Sequence, residues 1–155
     1  VNREQELFAT AAITSFRLNG QFLGIGDALA KPAGLTVAWW QVLGAVTREP
    51  LTVAGIARAM GITRQSVQRI ADLLAEKGLV EYLPNPAHRR AKLVVATSAG
   101  RAAVSKIGPA QARLAARLAE ELGDDFAPTV EVLTRLTEVL DRLDLEALAS
   151  ESVRD

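Results

Sequence analysis

Apolar residues recur along this chain at intervals of three and four, and the pattern stops only where proline, glycine or a short hydroxyl-bearing residue interrupts it. Residues 3–29 carry Leu7, Phe8, Ala12, Ile13, Phe16, Leu23 and Leu29 at helical spacing without a proline. They predict one long first helix, loosened near Gly20, Gly24 and Gly26. Lys31-Pro32-Ala33-Gly34 breaks the pattern. Thr36 then caps a helix to about Arg48 that is apolar almost all round (Val37, Trp39, Trp40, Val42, Leu43, Ala45, Val46), the pattern of a buried helix. Trp39 and Trp40 lie about 100° apart on such a helix, so they point in different directions. Core packing suits either; one could instead line a cavity. The string LTVA occurs at Leu35 and again at Leu51, but different residues follow, which reads as a reused helix start and not a repeat.

The stretch Leu51–Gly100 is punctuated more closely. Thr52 precedes the run Val53, Ile56, Ala57, Met60 and is placed to cap its helix, and Gly61 ends it in the left-handed conformation that glycine adopts without penalty. Thr63 caps a second helix to Lys77, with Val67, Ile70, Leu73 and Leu74 facing in, and Gly78 stops it. Two short helices joined by a glycine-containing turn predict a helix-turn-helix. Leu79–Leu83 and Lys92–Ala96 are rich in strand formers and predict a ribbon. The tip between them, from Pro84 to Ala91, is too long for a tight hairpin, and its two prolines prevent regular pairing.

The second helix and this tip carry the candidate chemistry. Opposite its apolar stripe the helix presents Arg64, Gln65, Ser66, Gln68 and Arg69, interrupted by one acid, Asp72. Arginine forks to guanine O6 and N7, glutamine pairs both ways with adenine, and the free N–H groups at a helix start attract phosphate. The tip places His88, Arg89 and Arg90 on a projecting loop, the form of a wing that reaches a neighbouring groove, where arginine is favoured when the groove is narrow. A solvated polar face and a plain surface loop are the alternative readings of each segment taken alone.

Past the wing, Thr97 or Ser98 caps a helix towards Leu122, with a kink or break expected at Gly108-Pro109. Gly123-Asp124-Asp125 ends that helix and caps the next, whose first turn tolerates Pro128. The last helix carries Leu133, Leu136, Leu140, Leu143 and Ala147 in a coiled-coil-like seam widened by Val132 and Val139. So wide a stripe predicts a subunit contact; packing against the first helix of the same chain is the other reading, and both can hold.

Composition changes this picture in two respects. The net charge is zero, but it is segregated: Arg58–Arg113 holds ten basic residues against three acidic, a balance of +7, while Leu114–Asp155 holds four against eleven, a balance of −7. A basic middle and an acidic end suit a molecule of which one face meets phosphate. The absence of cysteine and the single histidine exclude disulfides and thiolate zinc sites and leave no metal-ligand cluster. No Gly-rich phosphate loop, G-x-S-x-G or paired carboxylates in an apolar setting is present, so no cofactor and no enzyme is expected. No apolar run reaches membrane-spanning length and no N-terminal stretch has the form of a signal peptide, so the cytoplasm is the expected compartment.

Ile56-Ala57, Gly61-Ile62-Thr63, Val67, Leu73, Lys77-Gly78-Leu79-Val80, Arg89-Arg90-Ala91-Lys92-Leu93-Val94 and Thr97-Ser98-Ala99-Gly100 together resemble the winged helix-turn-helix of the MarR family of bacterial transcription regulators. Length and flanking helices fit as well, so the resemblance covers nearly the whole chain. Two positions depart from it: His88 stands where the family usually has an acid that helps orient the wing arginine, and Ala96 where it has leucine. The resemblance implies a mainly α fold with a small two- or three-stranded β-wing. Its segments would be an N-terminal dimerisation helix (1–34), a DNA-binding domain (35–100) and C-terminal dimerisation helices (101–155). The expected function is a homodimeric, sequence-specific regulator, a repressor at a pseudo-palindromic operator in double-stranded DNA. Thr63, Arg64, Gln65, Ser66, Gln68, Arg69, Lys77, His88, Arg89 and Arg90 are its DNA-binding candidates. Leu7, Phe8, Leu133, Leu136, Leu140 and Leu143 are the dimerisation candidates. Small, often phenolic, ligands bind in the family between the Trp-containing helix and the winged helix, which makes Phe16, Trp39 and Trp40 the ligand candidates. A non-specific architectural DNA binder and a winged helix used for protein interaction are the alternatives.

Overall fold

The computed structural model describes residues 2–151; Val1 and the last residues of the C-terminal segment, 152–155, lie outside it. The chain forms two compact units, Val1–Gln111 and Ala112–Asp155.

The first unit opens with α1 (Arg3–Ala30), an uninterrupted helix capped by a reciprocal box in which the Asn2 side chain accepts from Gln5 N–H and Gln5 accepts from Asn2 N–H. The expected loosening is absent, and Gly26 shows why glycine stands there. A β-carbon at Gly26 would lie 2.4 Å from Val37 Cγ2, so this residue lets α1 cross closely over the start of α2 (Val37–Arg48). Asp27 reinforces the crossing by accepting the Val37 N–H at 2.8 Å, beside the Thr36 cap. On α2 only Val42, Leu43 and Val46 are fully buried; Trp39 and Trp40 are half-buried against the core.

A short strand, β1 (Leu51–Thr52), precedes α3 (Val53–Met60), and Thr52 serves both, pairing in the sheet and capping the helix. Gly61 turns the chain at φ 65° into α4 (Arg64–Glu76), which begins at the Thr63 cap. Gly78 at φ 71° closes α4: its N–H bonds Ala75 and that of Leu79 bonds Leu74. That closure uses Leu79, so β2 starts at Val80 (Val80–Leu83), one residue later than expected, and β3 runs Leu93–Ala96. The antiparallel order is β1-β3-β2, with Leu51 opposite Val94 and Tyr82 opposite Val94 on its other side. The ribbon is therefore three-stranded. The core lies between α2, α3, α4 and this sheet, centred on Leu43, Ile56, Val67, Leu74 and Val94.

Thr97 caps α5 (Ser98–Ser105), and α6 (Gly108–Leu122) follows after a break at Lys106 and Ile107. The interruption expected at Gly108-Pro109 thus falls just before them; proline sits in the first turn of α6, where its missing N–H costs nothing.

The second unit contains the remainder of α6, a 3₁₀ turn at Gly123–Asp125, α7 (Phe126–Asp141) and α8 (Leu145–Glu151). Asp125 stands at the start of α7 but makes no capping bond, contrary to the sequence reading, because its backbone is helical (φ −80°, ψ −13°) and does not turn the carboxylate back. The expected single last helix is two: Arg142–Asp144 separates α7 from α8, with the Asp144 side chain capping the latter, so Leu143 lies in the link and Ala147 on α8. No residue between Ala112 and Ser150 is buried.

Candidate nucleic-acid interface

The geometry of α4 follows from its first turn. Thr63 Oγ1 accepts the Ser66 N–H at 3.1 Å and donates to Ser66 Oγ at 2.9 Å, so both hydroxyls belong to the cap, and Ser66 keeps its own proton to donate. Val67 N–H bonds the Thr63 carbonyl, and the Arg64 and Gln65 N–H groups have no partner among the described residues, the arrangement that favours an anion. With Val67, Ile70, Ala71 and Leu74 buried, Arg64, Gln65, Gln68, Arg69 and Asp72 are exposed.

Arg64, Gln65 and Gln68 line a cleft of about 620 Å³ together with Asp72, Tyr82 of β2, and Arg90 and Lys92 at the wing. Here helix and wing candidates meet. Arg69 is exposed on α4 outside the cleft, and His88 and Arg89 stand exposed on the wing tip. The tip is shaped by Asn85, whose side chain accepts the Ala87 N–H and whose carbonyl accepts the His88 N–H. Lys77 caps the end of α4 and holds its ammonium 5.4 Å from the Trp39 ring. The ion pairs among the described residues are those of Arg117 with Glu120 and Glu121, so Arg64, Arg69, Arg89, Arg90 and Lys92 have no ion-pair partner among the described residues.

Among the cleft residues that were not candidates, Asp72 and Tyr82 hydrogen-bond to one that was, Gln68. Asp72 accepts from Gln68 at 3.0 Å and from the Tyr82 hydroxyl, and Gln68 also donates to that hydroxyl at 3.1 Å. The Gln68–Asp72 spacing was visible in the chain as an i, i+4 pair; Tyr82 reaches them only because β2 packs beside α4. Burial, then the bond to Asp72 and its charge, push the Tyr82 hydroxyl up to about 12, against a smaller opposing effect of the Gln68 bond. Tyr82 is the only tyrosine, so an ultraviolet titration reads it alone. We expect tyrosinate absorbance to rise well above the ordinary value of about 10; ionisation of the folded protein near that value would show the hydroxyl unbonded. Because the folded value is the higher one, the stability from this contact is present below about pH 10 and is lost as pH climbs towards about 12.

The ligand candidates separate. Trp40 lines a second cavity of about 290 Å³ with Phe22, Leu23 and Val37, where Asn19 and Gln41 supply polar groups. Trp39 does not line it, and Phe16 is 75% exposed elsewhere on α1. Leu7 and Phe8 are also exposed on α1, and Leu133, Leu136, Leu140 and Leu143 are exposed in the second unit.

Residues 33–91 match the MarR family. An uncharacterised protein of Mycobacterium tuberculosis is 42% identical over 92 residues, 59% of this chain and 64% of that protein, so the chain spans under two thirds of the length of that relative. The transcriptional activatory protein BadR of Rhodopseudomonas palustris is 29% identical over 84% of this chain and 78% of its own. Among solved structures, the M. tuberculosis regulator MosR in complex with DNA superposes with a TM-score of 0.70 at 25% identity, covering 86% of this chain and 98% of MosR. CouR of Rhodococcus jostii, bound to p-coumaroyl-CoA, superposes with a TM-score of 0.69 at 24% identity, covering 87% and 94%. The fold is the one that these two solved structures share. The winged-helix core, residues 33–91, is thus similar to the MarR family, and the fold built around it is similar to that of the DNA-bound regulator MosR.

Proposed function

We propose that this protein is a homodimeric, sequence-specific DNA-binding regulator of transcription. The observation that carries the reading is the cleft, which brings Arg64 and Arg90, without an acidic partner among the described residues, together with the exposed amides of Gln65 and Gln68 at the start of α4. In this reading α4 enters a major groove, with Gln65, Ser66, Gln68 and Arg69 nearest the bases and Arg64 and Lys77 on phosphate, while His88, Arg89 and Arg90 extend from the wing. The DNA bound in the MosR structure supports it. Dimerisation is supported by the exposed apolar residues of α1, among them Phe8 at 71%, and by a second unit in which no side chain from Ala112 to Ser150 is buried. Helices without a core need another surface to cover them. Two-fold symmetry then implies a pseudo-palindrome with half-sites about one turn, ~10 bp, apart. We favour repression at such an operator, relieved by a small phenolic-type ligand; the cavity beside Trp40 and the p-coumaroyl-CoA held by CouR support that step.

Selection from a pool of random duplexes at moderate salt tests the reading. A pseudo-palindromic motif is expected, retained by a species of dimer mass and released by phenolic acids or their thioesters. Binding without a motif, with a steep salt dependence, would reduce the protein to an architectural binder, and absence of binding would leave a protein-interaction module.

A further inference from the structure

Gln68, Asp72 and Tyr82 form a closed set of hydrogen bonds on the wall of the cleft. Chemistry decides the direction of each. A carboxylate only accepts, so the amide atom 3.0 Å from Asp72 Oδ1 is the Gln68 nitrogen. The Tyr82 hydroxyl gives its proton to the same carboxylate oxygen, so it offers Gln68 Nε2 only a lone pair. The amide is thereby held with its nitrogen towards the protein. Its Oε1 accepts no hydrogen bond among the described residues, and the side chain is exposed between Arg64 and the wing.

We propose that Asp72 and Tyr82 are positioning residues that present Gln68 to DNA carbonyl first, so that it selects a base bearing an exocyclic amine in the major groove, adenine or cytosine, against guanine and thymine. The inference rests on the regulator reading and deepens it. A freely rotating glutamine reads adenine best, because it offers a donor to N7 and an acceptor to N6. With the nitrogen drawn back, the acceptor is what reaches the groove. Adenine N6 and cytosine N4 each answer it with a donor, whereas guanine O6 and N7 and thymine O4 meet it lone pair to lone pair. The arrangement also accounts for an acid on a DNA-facing helix: Asp72 accepts from two neighbours and serves as their anchor.

The test measures wild type, Gln68→Ala, Tyr82→Phe and Asp72→Ala on the motif recovered from random duplexes, with every single-base change, after melting curves have shown each variant folded. Wild type should prefer adenine or cytosine by about fivefold at one position of each half-site, the worth of one net hydrogen bond. Gln68→Ala should abolish that preference alone. Asp72→Ala, which removes the carboxylate that anchors the amide nitrogen, should move the same position towards adenine over cytosine and leave the others unchanged, and Tyr82→Phe, in which Asp72 still accepts from Gln68, should move it the same way but less. A motif in which Gln68→Ala alters no position would overturn the inference. So would a Gln68-dependent guanine or thymine, or an unmoved profile in Asp72→Ala. Failure of wild type to select any motif would bring down the regulator reading itself, and the inference with it.

Discussion

Replacing Gly100 with alanine is expected to lower the melting temperature by on the order of 10 °C, about 3 kcal/mol for a chain of this size. The reason lies where the first turn of α5 meets the strand leading into β2. A β-carbon on Gly100 would stand 2.1 Å from the Leu79 carbonyl oxygen and 3.1 Å from Leu43 Cδ1. The first of these is backbone and cannot rotate away; its oxygen also accepts the Thr97 N–H at 3.1 Å, and Thr97 in turn donates to the Gly78 carbonyl at 2.6 Å. Relief would require α5 to lift off the end of α4. Gly24 makes the natural comparison, since nothing lies within 4 Å of a β-carbon there and alanine should be neutral or slightly stabilising in the helix. Parallel thermal melts of the two variants check the expectation. Equal melting points would show that the contact relaxes at little cost.

The second large effect concerns DNA. The double variant Arg64→Ala, Arg90→Ala should weaken operator binding on the order of a thousandfold, with each lost charge-assisted contact contributing roughly 2 kcal/mol. The two guanidinium groups come from elements far apart in the chain yet line one cleft, and neither has an acidic partner among the described residues. If both touch phosphate, the slope of log K against log salt should also become shallower by about two. Fluorescence anisotropy across a salt series separates the possibilities. An affinity loss with unchanged slope would assign the arginines to base edges, and an Arg90→Ala single variant that binds like wild type would remove the wing from the interface.

The helix-turn-helix was legible because each of its boundaries is local. Thr52, Gly61, Thr63 and Gly78 each act within four residues of themselves, and each does in the structure what its chemistry requires. The apolar stripe of α4 was legible for the same reason. What escaped was non-local. β1 is two residues long and reads as a helix cap; only its pairing with Leu93 and Val94 makes it a strand. Gly26 read as a weakness in α1 because nothing nearby reveals that Val37 will press against it. Asp72 read as an interruption of a basic face because its partner Tyr82 arrives from another element. The seam through Leu143 looked continuous because periodicity carries no mark of the Asp144 cap that restarts the helix.

The sheet order has a mechanical consequence. β3 is clasped on both sides, by β2 and by β1, and β1 runs directly into the first turn of α3. The root of the wing and the helix-turn-helix are therefore one stiff lever arm, and a load that reaches Leu83 or Leu93, where the strands end, is passed through β3 and β1 to the start of α3. Only the span from Pro84 to Lys92, which lies outside the strands, is left to act as a spring. Any accommodation to grooves of different width must be taken up there, by bending a short loop stiffened by two prolines, and not by swinging the wing as a whole.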